Sequence, residues 1–485
     1  MEIKDLQPQD VWKYFHEVTQ IPHPSGREEK IVQYLVDFAK ARQLEVQKDE
    51  TNNVLIKKKA TPGKESLPTI ILQSHVDMVC EKNKETQHDF DKDPIQTYID
   101  EGWVKAKGTT LGADDGIGVA AQLAILNSNT IEHGNIECLF TTEEETGLTG
   151  AFGLQKGFLS GDTLINLDTE EEGQFYIGCS GGKDTSATFK YKEEATPDNF
   201  FWFKVQVNGL KGGHSGSEIH IGLGNANKIL TRYLWALKKK EPVYIAEIGG
   251  GNLRNAIPRE AYAIAGVPMA SKEYTITTLN VLLANVEEEL KVTDPGIKIS
   301  LESISAPEKC IEKDVSDKLI SALYACPHGV IGMSHEISGL VETSTNLASI
   351  KMLEPNTIVV GTSQRSSTDS LKEDIGNMVS AVFLLAGAEV KSSDGYPGWK
   401  PNPSSRILAV AENVYEKLYG KKPEIKAIHA GLECGLFLSK YPNLDMISCG
   451  PTIQGAHSPD EKMEIATVER WWNFLLELIK NIPVK

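Results

Sequence analysis

The stretch TIILQSHVDM, residues 69–78, decides the fold of this chain. It begins with a short apolar run of the kind that forms a buried strand, and it ends with His75 and Asp77. These two residues are two positions apart, so on a strand their side chains point to the same side. A charged group at the mouth of a buried strand costs free energy unless it is paired, hydrogen-bonded or bound to a metal ion. The stretch therefore predicts a buried strand that ends in a polar site.

Short apolar runs alternate with helical patterns around this stretch. The alternation predicts an open α/β sheet, and ligands of such sheets collect beyond the carboxyl ends of the strands. Apolar spacing also predicts helical structure over residues 9–44. The runs and patterns concerned are NVLIKKK (53–59), GIGVAAQLAILNSN (116–129), IECLFTT (136–142) and TLINLD (163–168).

The pattern changes after about residue 182. FFWFKVQVNGL, residues 200–210, alternates apolar and polar residues, which is typical of a half-exposed antiparallel strand. The α/β alternation returns beyond the Pro/Gly-rich segment 392–405. The sequence thus predicts an α/β domain in two parts, residues 1–182 and 393–485, interrupted by an inserted α+β domain, residues 183–392.

Charge and composition exclude several classes of partner. The net charge of −17 argues against nucleic acid and anionic membranes, because both are polyanions. No apolar run reaches the roughly 18 residues that a membrane-spanning helix needs. The first residues, MEIKDLQPQDVWKYF, lack the apolar core of a signal peptide. Seven scattered cysteines without a CxxC pair favour a reduced, cytoplasmic protein.

Residues that can bind a metal ion follow several apolar runs in turn. Each run ends in a histidine or a carboxylate, and these are the side chains that hold transition metals in proteins. The candidates are His75 and Asp77 after the first run, Asp114 in a glycine-flanked turn, Glu143 to Glu145 after residues 136–142, Asp168 at the end of TLINLD, and His457 in the loop ISCGPTIQGAHSPDE (447–461).

Each candidate has another explanation when it is taken alone. A strand-end histidine is often only hydrogen-bonded, Asp114 or Asp115 could cap a helix, and Asp168 could lie in a solvated turn. Taken together, four strand-end sites of metal-ligand type favour a common cause. Two divalent cations would neutralise the acids, and a mixture of imidazole and carboxylate suits zinc, manganese or cobalt better than calcium.

Longer motifs resemble those of a known family. SHVDMV, GTTLGADDGIGVA, TEEETGLTGAFGL, INLDTEEEG, GLKGGHSG and HSPDE, in this order, resemble the dimetal M20 peptidases. KDPIQTYIDEGWVKAKGTTLGAD, GGHSGSEIHIGLGNANK, LRNAIPRE and HAGLECGLF narrow the resemblance to the aminoacyl-histidine dipeptidase branch, also called Xaa-His dipeptidase, peptidase D or bacterial carnosinase. The resemblance covers nearly the whole chain. It implies a dimetal aminopeptidase-like α/β catalytic domain with an inserted lid domain.

The resemblance also implies a role for each strand-end residue. His75 and Asp168 would bind one metal ion, Glu145 and His457 would bind the other, and Asp114 would bridge both. Asp77 would orient His75. Glu144 would be the general base, which takes a proton from the attacking water and passes it to the leaving amine. Glu143 would have no catalytic role.

The inserted domain offers residues for the substrate. His214, between glycines, resembles the lid histidine that steadies the tetrahedral intermediate. Asn255 is a further polar contact, and the planar guanidinium of Arg365 suits the carboxylate of a dipeptide. Backbone N–H groups near Gly435 are a second candidate for that carboxylate. The resemblance further implies a homodimer that pairs through the lid domain.

We therefore expect a metal-dependent dipeptidase that cleaves Xaa-His and other dipeptides with two divalent ions, zinc first and cobalt or manganese as alternatives. One rival is an N-acyl-amino-acid deacylase or carboxypeptidase on the same fold. Another is a metal- or phosphate-binding scaffold without activity. Ser180 in GCSGG (178–182) matches a serine nucleophile motif, but an alternating strand pattern follows where that motif needs a helix. The Gly-rich EIGGGNLRN (247–255) lacks the spacing of a phosphate-binding loop.

Overall fold

The computed structural model describes residues 2–482 and divides into two compact units. The first unit contains the chain up to Gly178, the segment Trp399–Ala427 and the chain from Leu432 onward. The second unit contains Cys179–Gly398 and the four residues Ile428–Gly431. The chain therefore passes twice from the first unit to the second, and the second passage is very short.

Residues 2–482 contain both α-helices and β-strands. Over residues 2–482 the helices are α1 Gln9–Thr19, α2 Glu29–Ala41, α3 Ala113–Asn127, α4 Glu144–Gly147, α5 Thr149–Gly153, α6 Ala226–Lys238, α7 Lys272–Leu290, α8 Lys313–Ala325, α9 Asp369–Leu385, α10 Arg406–Tyr419, α11 Glu433–Lys440 and α12 Ile465–Lys480. The strands of the same residues are β1 Glu45–Lys48, β2 Val54–Lys58, β3 Ile70–His75, β4 Thr97–Asp100, β5 Trp103–Ala106, β6 Ile136–Thr141, β7 Thr163–Asn166, β8 Gln174–Cys179, β9 Gly181–Lys190, β10 Glu193–Ala195, β11 Phe200–Asn208, β12 Gly213–His214, β13 Tyr244–Gly250, β14 Ala256–Ile257, β15 Ala261–Pro268, β16 Lys298–Ser303, β17 Lys309–Ile311, β18 Gly329–Met333, β19 Val341–Leu353, β20 Thr357–Ser366, β21 Glu389–Ser392, β22 Glu424–Ile428, β23 Asp445–Ser448, β24 Ile453–Gln454 and β25 Lys462–Glu464.

The predicted helical region over residues 9–44 is two helices, not one. α1 ends at Thr19 and α2 begins at Glu29. The segment between them contains Pro22 and Pro24. Proline lacks the N–H that a helix interior needs and forces the preceding residue into an extended conformation. Both helices keep the predicted apolar spacing. The break between them comes from the prolines, whose effect on the backbone the apolar spacing does not show.

The first unit is built on an eight-stranded sheet, which confirms the predicted α/β class. Its strand order is β1-β2-β6-β3-β7-β23-β8-β22 over the described residues. The four central strands β6, β3, β7 and β23 are mutually parallel. β3, β6 and β7 are buried along their whole length, as parallel strands covered on both faces should be. Parallel strands present their carboxyl ends at one edge of the sheet, so residues that follow them are brought together.

The buried helix α3 covers this sheet. It packs against β3 and α1, and nearly all of its residues are buried. Gly, Ala, Val, Ile and Leu make up most of its length, which is why it has no polar face. Its first turn departs from helical geometry at Asp114 (ψ 111°) and Asp115 (ψ 34°). The first turn of α3 therefore presents these two carboxylates differently from residues inside the helix.

The second unit is an α+β structure on a nine-stranded sheet. Its main path is β16-β11-β15-β13-β19-β20-β9-β21, and β18 pairs with β19, over the described residues. Paired neighbours in this sheet are antiparallel. In β11, Phe203, Val205 and Val207 are buried while the residues between them are half-exposed. The alternation predicted from the sequence is therefore confirmed in this strand.

Within residues 2–482, no helix is long and apolar enough to cross a membrane.

Candidate active site

The carboxyl ends of β3, β6 and β7 bring the predicted ligands of the first unit together. His75 is the last residue of β3, Glu145 follows β6, and Asp168 lies two residues beyond β7. His75 Nε2 lies 3.0 Å from Asp114 Oδ1 and 3.7 Å from Asp168 Oδ1. These three side chains form one group of potential metal ligands whose donor atoms lie within 4.8 Å of one another.

Asp114 stands between two imidazoles. Its Oδ1 faces His75, and its Oδ2 lies 3.2 Å from His457 Nε2. His457 Nε2 also lies 2.9 Å from Glu145 Oε1, and Asp114, Glu145 and His457 form a second group of potential ligands. One carboxylate thus belongs to both groups, with one oxygen directed to each.

The chemistry of these groups fits metal ions. Imidazole nitrogen and carboxylate oxygen together are the donors of zinc, manganese and cobalt sites. Glu145 Oε1 is buried and has no donor of its own, because His457 Nε2, 2.9 Å away, also lies 3.2 Å from Asp114 Oδ2. A buried carboxylate oxygen without a donor is costly unless a cation neutralises it.

Asp77 fixes the surroundings of His75 and of the glutamates. Its carbonyl oxygen lies 3.0 Å from His75 Nδ1, and its Oδ1 lies 3.4 Å from the same nitrogen. Its two carboxylate oxygens also accept the N–H groups of Glu144, at 3.0 Å, and Glu145, at 3.2 Å. Ser25 Oγ donates to Oδ2 at 2.8 Å. Asp77 is therefore hydrogen-bonded to the chain that carries both glutamates.

Asp114 and Asp115, which the sequence left as alternative helix caps, have different partners. Asp115 Oδ1 accepts the N–H of Gly118 at 3.2 Å, as a capping side chain does. Asp114 instead faces the two imidazoles. The cap is Asp115, and the carboxylate of Asp114 is available to a ligand.

The site has an excess of negative charge. Burial, and then the carboxylates of Asp168 and Glu145, raise the pKa of Glu144 well above its usual range. Hydrogen bonds to Asp114 and Glu145 raise the pKa of His457 to about 11. Neighbouring carboxylates contribute to both shifts, since crowded carboxylates favour bound protons and cations. A pair of divalent ions would supply the missing positive charge.

Similarity to known proteins agrees with this geometry. Residues 71–481 match the model of peptidase family M20/M25/M40. The chain is 44% identical to the cytosol non-specific dipeptidase of Escherichia coli (strain K12) over 484 residues, which cover 100% of both proteins. This chain belongs to peptidase family M20/M25/M40. The family predicted from the motifs is confirmed.

Two solved structures extend the comparison. The aminoacylhistidine dipeptidase of Vibrio alginolyticus is 46% identical with a TM-score of 0.92, and the match covers 100% of this chain and 99% of that one. The aminopeptidase PepT of Bacillus cereus is 16% identical with a TM-score of 0.61, covering 98% and 99% of the two chains. At that identity the second match shows a shared fold.

Glu461 is a residue of this site that sequence reasoning missed. Its Oε2 accepts the N–H groups of Leu111, at 2.6 Å, and Gly112, at 3.1 Å. Its Oε1 accepts those of Ala113, at 2.7 Å, and Asp114, at 3.4 Å. One buried carboxylate therefore holds the loop that carries Asp114. The signal in the sequence was its place in HSPDE, four residues after His457.

Glu433 is a second buried acid that was missed. Its Oε2 accepts Gln73 Nε2 at 2.6 Å and Thr141 Oγ1 at 2.8 Å. Burial raises the pKa of Glu433 to about 7. Gln73 lies on β3 and Thr141 ends β6, so Glu433 connects the start of α11 to the strand that ends at His75 and to the strand that precedes Glu145.

In the second unit, His214 and Asn255 lie on neighbouring short strands. His214 on β12 pairs with Ala256 on β14, and the carbonyl of Asn255 accepts the N–H of Ser215 at 2.7 Å. Both residues line a cavity of about 810 Å³. Asn255 is exposed, so its side-chain amide is accessible to a ligand.

His214 has the protonation state of a hydrogen-bond donor. The backbone N–H of Ser217 donates to its Nδ1 at 3.1 Å. Because Nδ1 accepts, the proton of the neutral ring lies on Nε2. Burial, and then the charge of Arg365, lower the pKa of His214 to about 4. At neutral pH the ring therefore offers one Nε2–H.

Arg365 is the penultimate residue of β20, and its side chain lies close to the same glycine as that of His214. A Cβ placed on Gly216 would lie 3.0 Å from His214 Cε1 and 3.2 Å from Arg365 Nε. The two side chains thus converge on a position that carries no side chain. In the first unit, the N–H of Gly435 donates to the Leu432 carbonyl at 3.2 Å. Gly435 stays a predicted contact whose N–H would have to exchange this partner for a substrate.

Ser180 is not arranged as a nucleophile elbow. β9 begins directly after it, where the elbow would lead into a helix. Its Oγ lies 2.7 Å from His429 Nδ1, and the other ring nitrogen lies 2.7 Å from Ser344 Oγ. All three residues are buried. The second nitrogen of His429 thus faces a hydroxyl group instead of the orienting carboxylate of a catalytic triad.

Proposed function

We propose that this chain is a metal-dependent dipeptidase that hydrolyses Xaa-His and other dipeptides. The observation that carries the proposal is the carboxylate of Asp114 between His75 and His457, with Asp168 and Glu145 beside them. The Escherichia coli relative is a dipeptidase by name, and the similar Vibrio alginolyticus structure is an aminoacylhistidine dipeptidase. Membership of a peptidase family supports hydrolysis of peptide bonds.

Two divalent ions, which we propose to be zinc with cobalt and manganese as alternatives, would occupy the two groups of ligands. His75 and Asp168 would hold one, Glu145 and His457 the other, and Asp114 both. Bound there, the ions would polarise the scissile carbonyl and lower the pKa of the attacking water. Asp77 would keep His75 in one orientation through its contacts with Nδ1.

Glu144 would act as the general base and then as the general acid. One donor atom each of Glu144, Glu145 and His75 lie within 4.8 Å of one another, so the carboxylate of Glu144 would be close to the ions, and His75 and Glu145 would serve as ligands. It would accept a proton from the attacking water and deliver it to the nitrogen of the leaving amine. Burial and neighbouring acids raise the pKa of Glu144. The positive charge of bound ions would lower this pKa again and so would decide whether the carboxylate is ionised.

Residues of the second unit would bind the substrate. Nε2–H of His214 would donate to the developing oxyanion, for which a neutral histidine that needs no reorganisation is suited. The guanidinium of Arg365 would bind the C-terminal carboxylate of the dipeptide, with Asn255 as a further contact. In a dipeptide this carboxylate belongs to the second residue. Its binding by Arg365 would therefore limit cleavage to short peptides.

We further propose a cytoplasmic homodimer that pairs through the second unit. Leu371, Met378 and Leu385 on α9 are 38%, 50% and 89% exposed, and their spacing of seven residues puts them on one face of the helix. Burial of such a face between two chains would stabilise a dimer. Leu385→Glu should shift the chain to a monomer in analytical ultracentrifugation, and an unchanged mass would remove α9 from the interface.

The deciding experiment uses metal-stripped protein. Hydrolysis of β-Ala-His, α-dipeptides, tripeptides and N-acetyl-amino acids is measured before and after zinc, cobalt or manganese is added. We expect no activity after stripping and dipeptide cleavage after metal is restored. Cleavage of acetylated substrates alone would indicate a deacylase, and stoichiometric metal binding without cleavage of any substrate would indicate a scaffold.

A further inference from the structure

Arg365 is a buried guanidinium with few partners. Its side chain is 8% exposed, and Nη1 donates to Tyr396 Oη at 3.0 Å. Nε has no hydrogen-bond partner among residues 2–482. A guanidinium has five N–H donors, and burying them without acceptors costs free energy. The arrangement therefore indicates a ligand with acceptor oxygens, and a carboxylate matches it in shape and charge.

Tyr396 is held rigidly beside this guanidinium. Its N–H donates to the Gly182 carbonyl at 2.9 Å, and the Gly182 N–H donates back to its carbonyl at 3.1 Å. Lys372 Nζ donates to the same carbonyl of Tyr396 at 2.7 Å. Gly182 is also the cross-strand partner of Arg365 between β9 and β20. The backbone of Tyr396 is thus fixed to the residue directly opposite Arg365 in the sheet.

The ring of Tyr396 lies between two glycines. A Cβ on Gly182 would lie 2.6 Å from Cε1 and Cζ of the ring, and a Cβ on Gly431 would lie 2.9 Å from Cε2. Either methyl group would displace the phenol end of the ring, because real Cβ atoms do not approach so closely. Glycine at both positions leaves the space in which the hydroxyl reaches Arg365. The ring of Tyr396 occupies the space that a side chain at position 182 would fill.

We propose that Tyr396 is a positioning residue that sets the plane of the Arg365 guanidinium and thereby the preference for substrates with a free C-terminal carboxylate. This inference rests on the proposed function, because it needs Arg365 to bind that carboxylate. The hydroxyl holds Nη1 on one side, and Nε lies next to the position that a side chain on residue 216 would occupy. Two parallel hydrogen bonds to a carboxylate require this plane to be fixed.

Loss of the hydroxyl should weaken substrate binding more than it slows the chemical step. The carboxylate takes no part in the bonds that form and break, and a contact made equally in ground state and transition state affects KM with little change in kcat. For Tyr396→Phe we expect an increase of about tenfold in KM for β-Ala-His, the size of one charge-assisted hydrogen bond. For β-Ala-His amide, which has no carboxylate, we expect a change of less than about twofold.

The experiment compares metal-loaded wild type, Tyr396→Phe, Arg365→Met and Tyr233→Phe on both substrates. Tyr233 is a matched control, because its buried hydroxyl donates to the Thr275 carbonyl elsewhere in the same unit. Gly431→Ala is a second route to the same effect, since it displaces the phenol and keeps the hydroxyl. Melting temperature and metal content are recorded for every variant, so that a folding defect in one route leaves the other to decide.

The outcomes separate the inference from the proposed function. The inference is supported if KM for β-Ala-His rises equally in Tyr396→Phe and Gly431→Ala, rises more in Arg365→Met and stays unchanged in Tyr233→Phe. A rise in Arg365→Met with unchanged KM in both Tyr396→Phe and Gly431→Ala would overturn the inference and leave the carboxylate role of Arg365 intact. Unchanged KM in Arg365→Met would overturn both the inference and the carboxylate role of Arg365. A wild type that cleaves no dipeptide would overturn the proposed function itself.

Discussion

At the scale of single residues, three consecutive glutamates have three different surroundings. Glu145 faces His457, the half-buried Glu144 lies near the carboxylates of Asp168 and Glu145, and the N–H of Glu143 donates to Glu28. Asp77 accepts the N–H groups of Glu144 and Glu145 and so fixes where both side chains begin. The three glutamates at this strand end therefore have different partners, and we expect bound ions to supply the positive charge that offsets the acids.

The first prediction concerns Glu144. Glu144→Gln should retain two metal ions per chain and lose about 10²–10⁴-fold in kcat, because an amide does not accept the proton of the attacking water. Metal content by mass spectrometry and steady-state kinetics on β-Ala-His measure the two effects. Glu143→Gln is the matched control and should keep wild-type kinetics. A near-normal rate in Glu144→Gln would remove this residue from the mechanism.

The second prediction concerns Asp77. Asp77→Asn keeps the shape of the side chain but replaces one of its two acceptor oxygens with an NH₂ group, which would face the N–H of either Glu144 or Glu145. Metal affinity should fall about 10–100-fold, as for other residues that orient a metal-binding histidine. Competition with a chromogenic chelator measures it. Ser25→Ala, which removes a single donor to Asp77, should have a smaller effect, and equal affinities in all three proteins would contradict the role.

At the scale of elements, Glu461 connects two loops that are far apart in the sequence. The turn that carries His457 also carries Glu461, and this carboxylate accepts four N–H groups from residues 111–114. The contact spans about 350 residues of chain. It places Asp114, at the start of α3, in register with His457, which lies between β24 and β25.

The third prediction tests this connection. Glu461→Gln should lower metal affinity by about 10–100-fold, because glutamine keeps one acceptor oxygen and turns an NH₂ group towards N–H donors. A purely structural role would lower the melting temperature of the metal-free protein and leave the metal dissociation constant of the folded protein unchanged. Asp460→Asn, at an exposed neighbouring position, is the control and should bind metal like the wild type.

At the scale of the whole molecule, buried neutral histidines of the second unit make its stability depend on pH. Burial, and then the charge of Arg365, lower the pKa of His429 to about 3. Burial, and then Lys228, lower the pKa of His328 to about 4. An unfolded histidine titrates near pH 6.5, so between these values the unfolded state binds more protons than the folded state. The contribution of these histidines to the free energy of unfolding is therefore fully present above about pH 6.5. It is lost as the pH falls towards their pKa values in the folded state.

The fourth prediction follows from this sign. His429→Asn should destabilise the chain at neutral pH, because contacts with Ser180 and Ser344 are lost. Its disadvantage relative to wild type should shrink as the pH falls below about 6.5, since only the wild type loses the contribution of this ring. Melting temperatures across the pH range measure it. His335→Asn, at an exposed position, should stay parallel to wild type, and a constant difference for His429→Asn would contradict the prediction.

The sequence by itself determined the fold class and the candidate ligands of the first unit. Apolar runs that end in histidine or carboxylate were visible without coordinates, and parallel strands bring their carboxyl ends to one edge whatever the loops do. His75, Asp168 and Glu145 were therefore predictable as neighbours. The alternation of β11 was predictable for a similar reason, because the side-chain period of a strand is local.

Only the tertiary structure decided the contacts between segments distant in the chain. The pairing of Glu461 with residues 111–114, of Glu433 with Gln73, and of Tyr396 with Arg365 depends on how loops return to the sheet. No periodicity encodes such a contact. Likewise, the sequence does not distinguish Asp114 from Asp115. The departure from helical geometry at the start of α3 lets Asp114 face the two imidazoles while Asp115 caps the helix. Periodicity expresses burial and strand direction, whereas the partner of each polar group is set by packing in three dimensions.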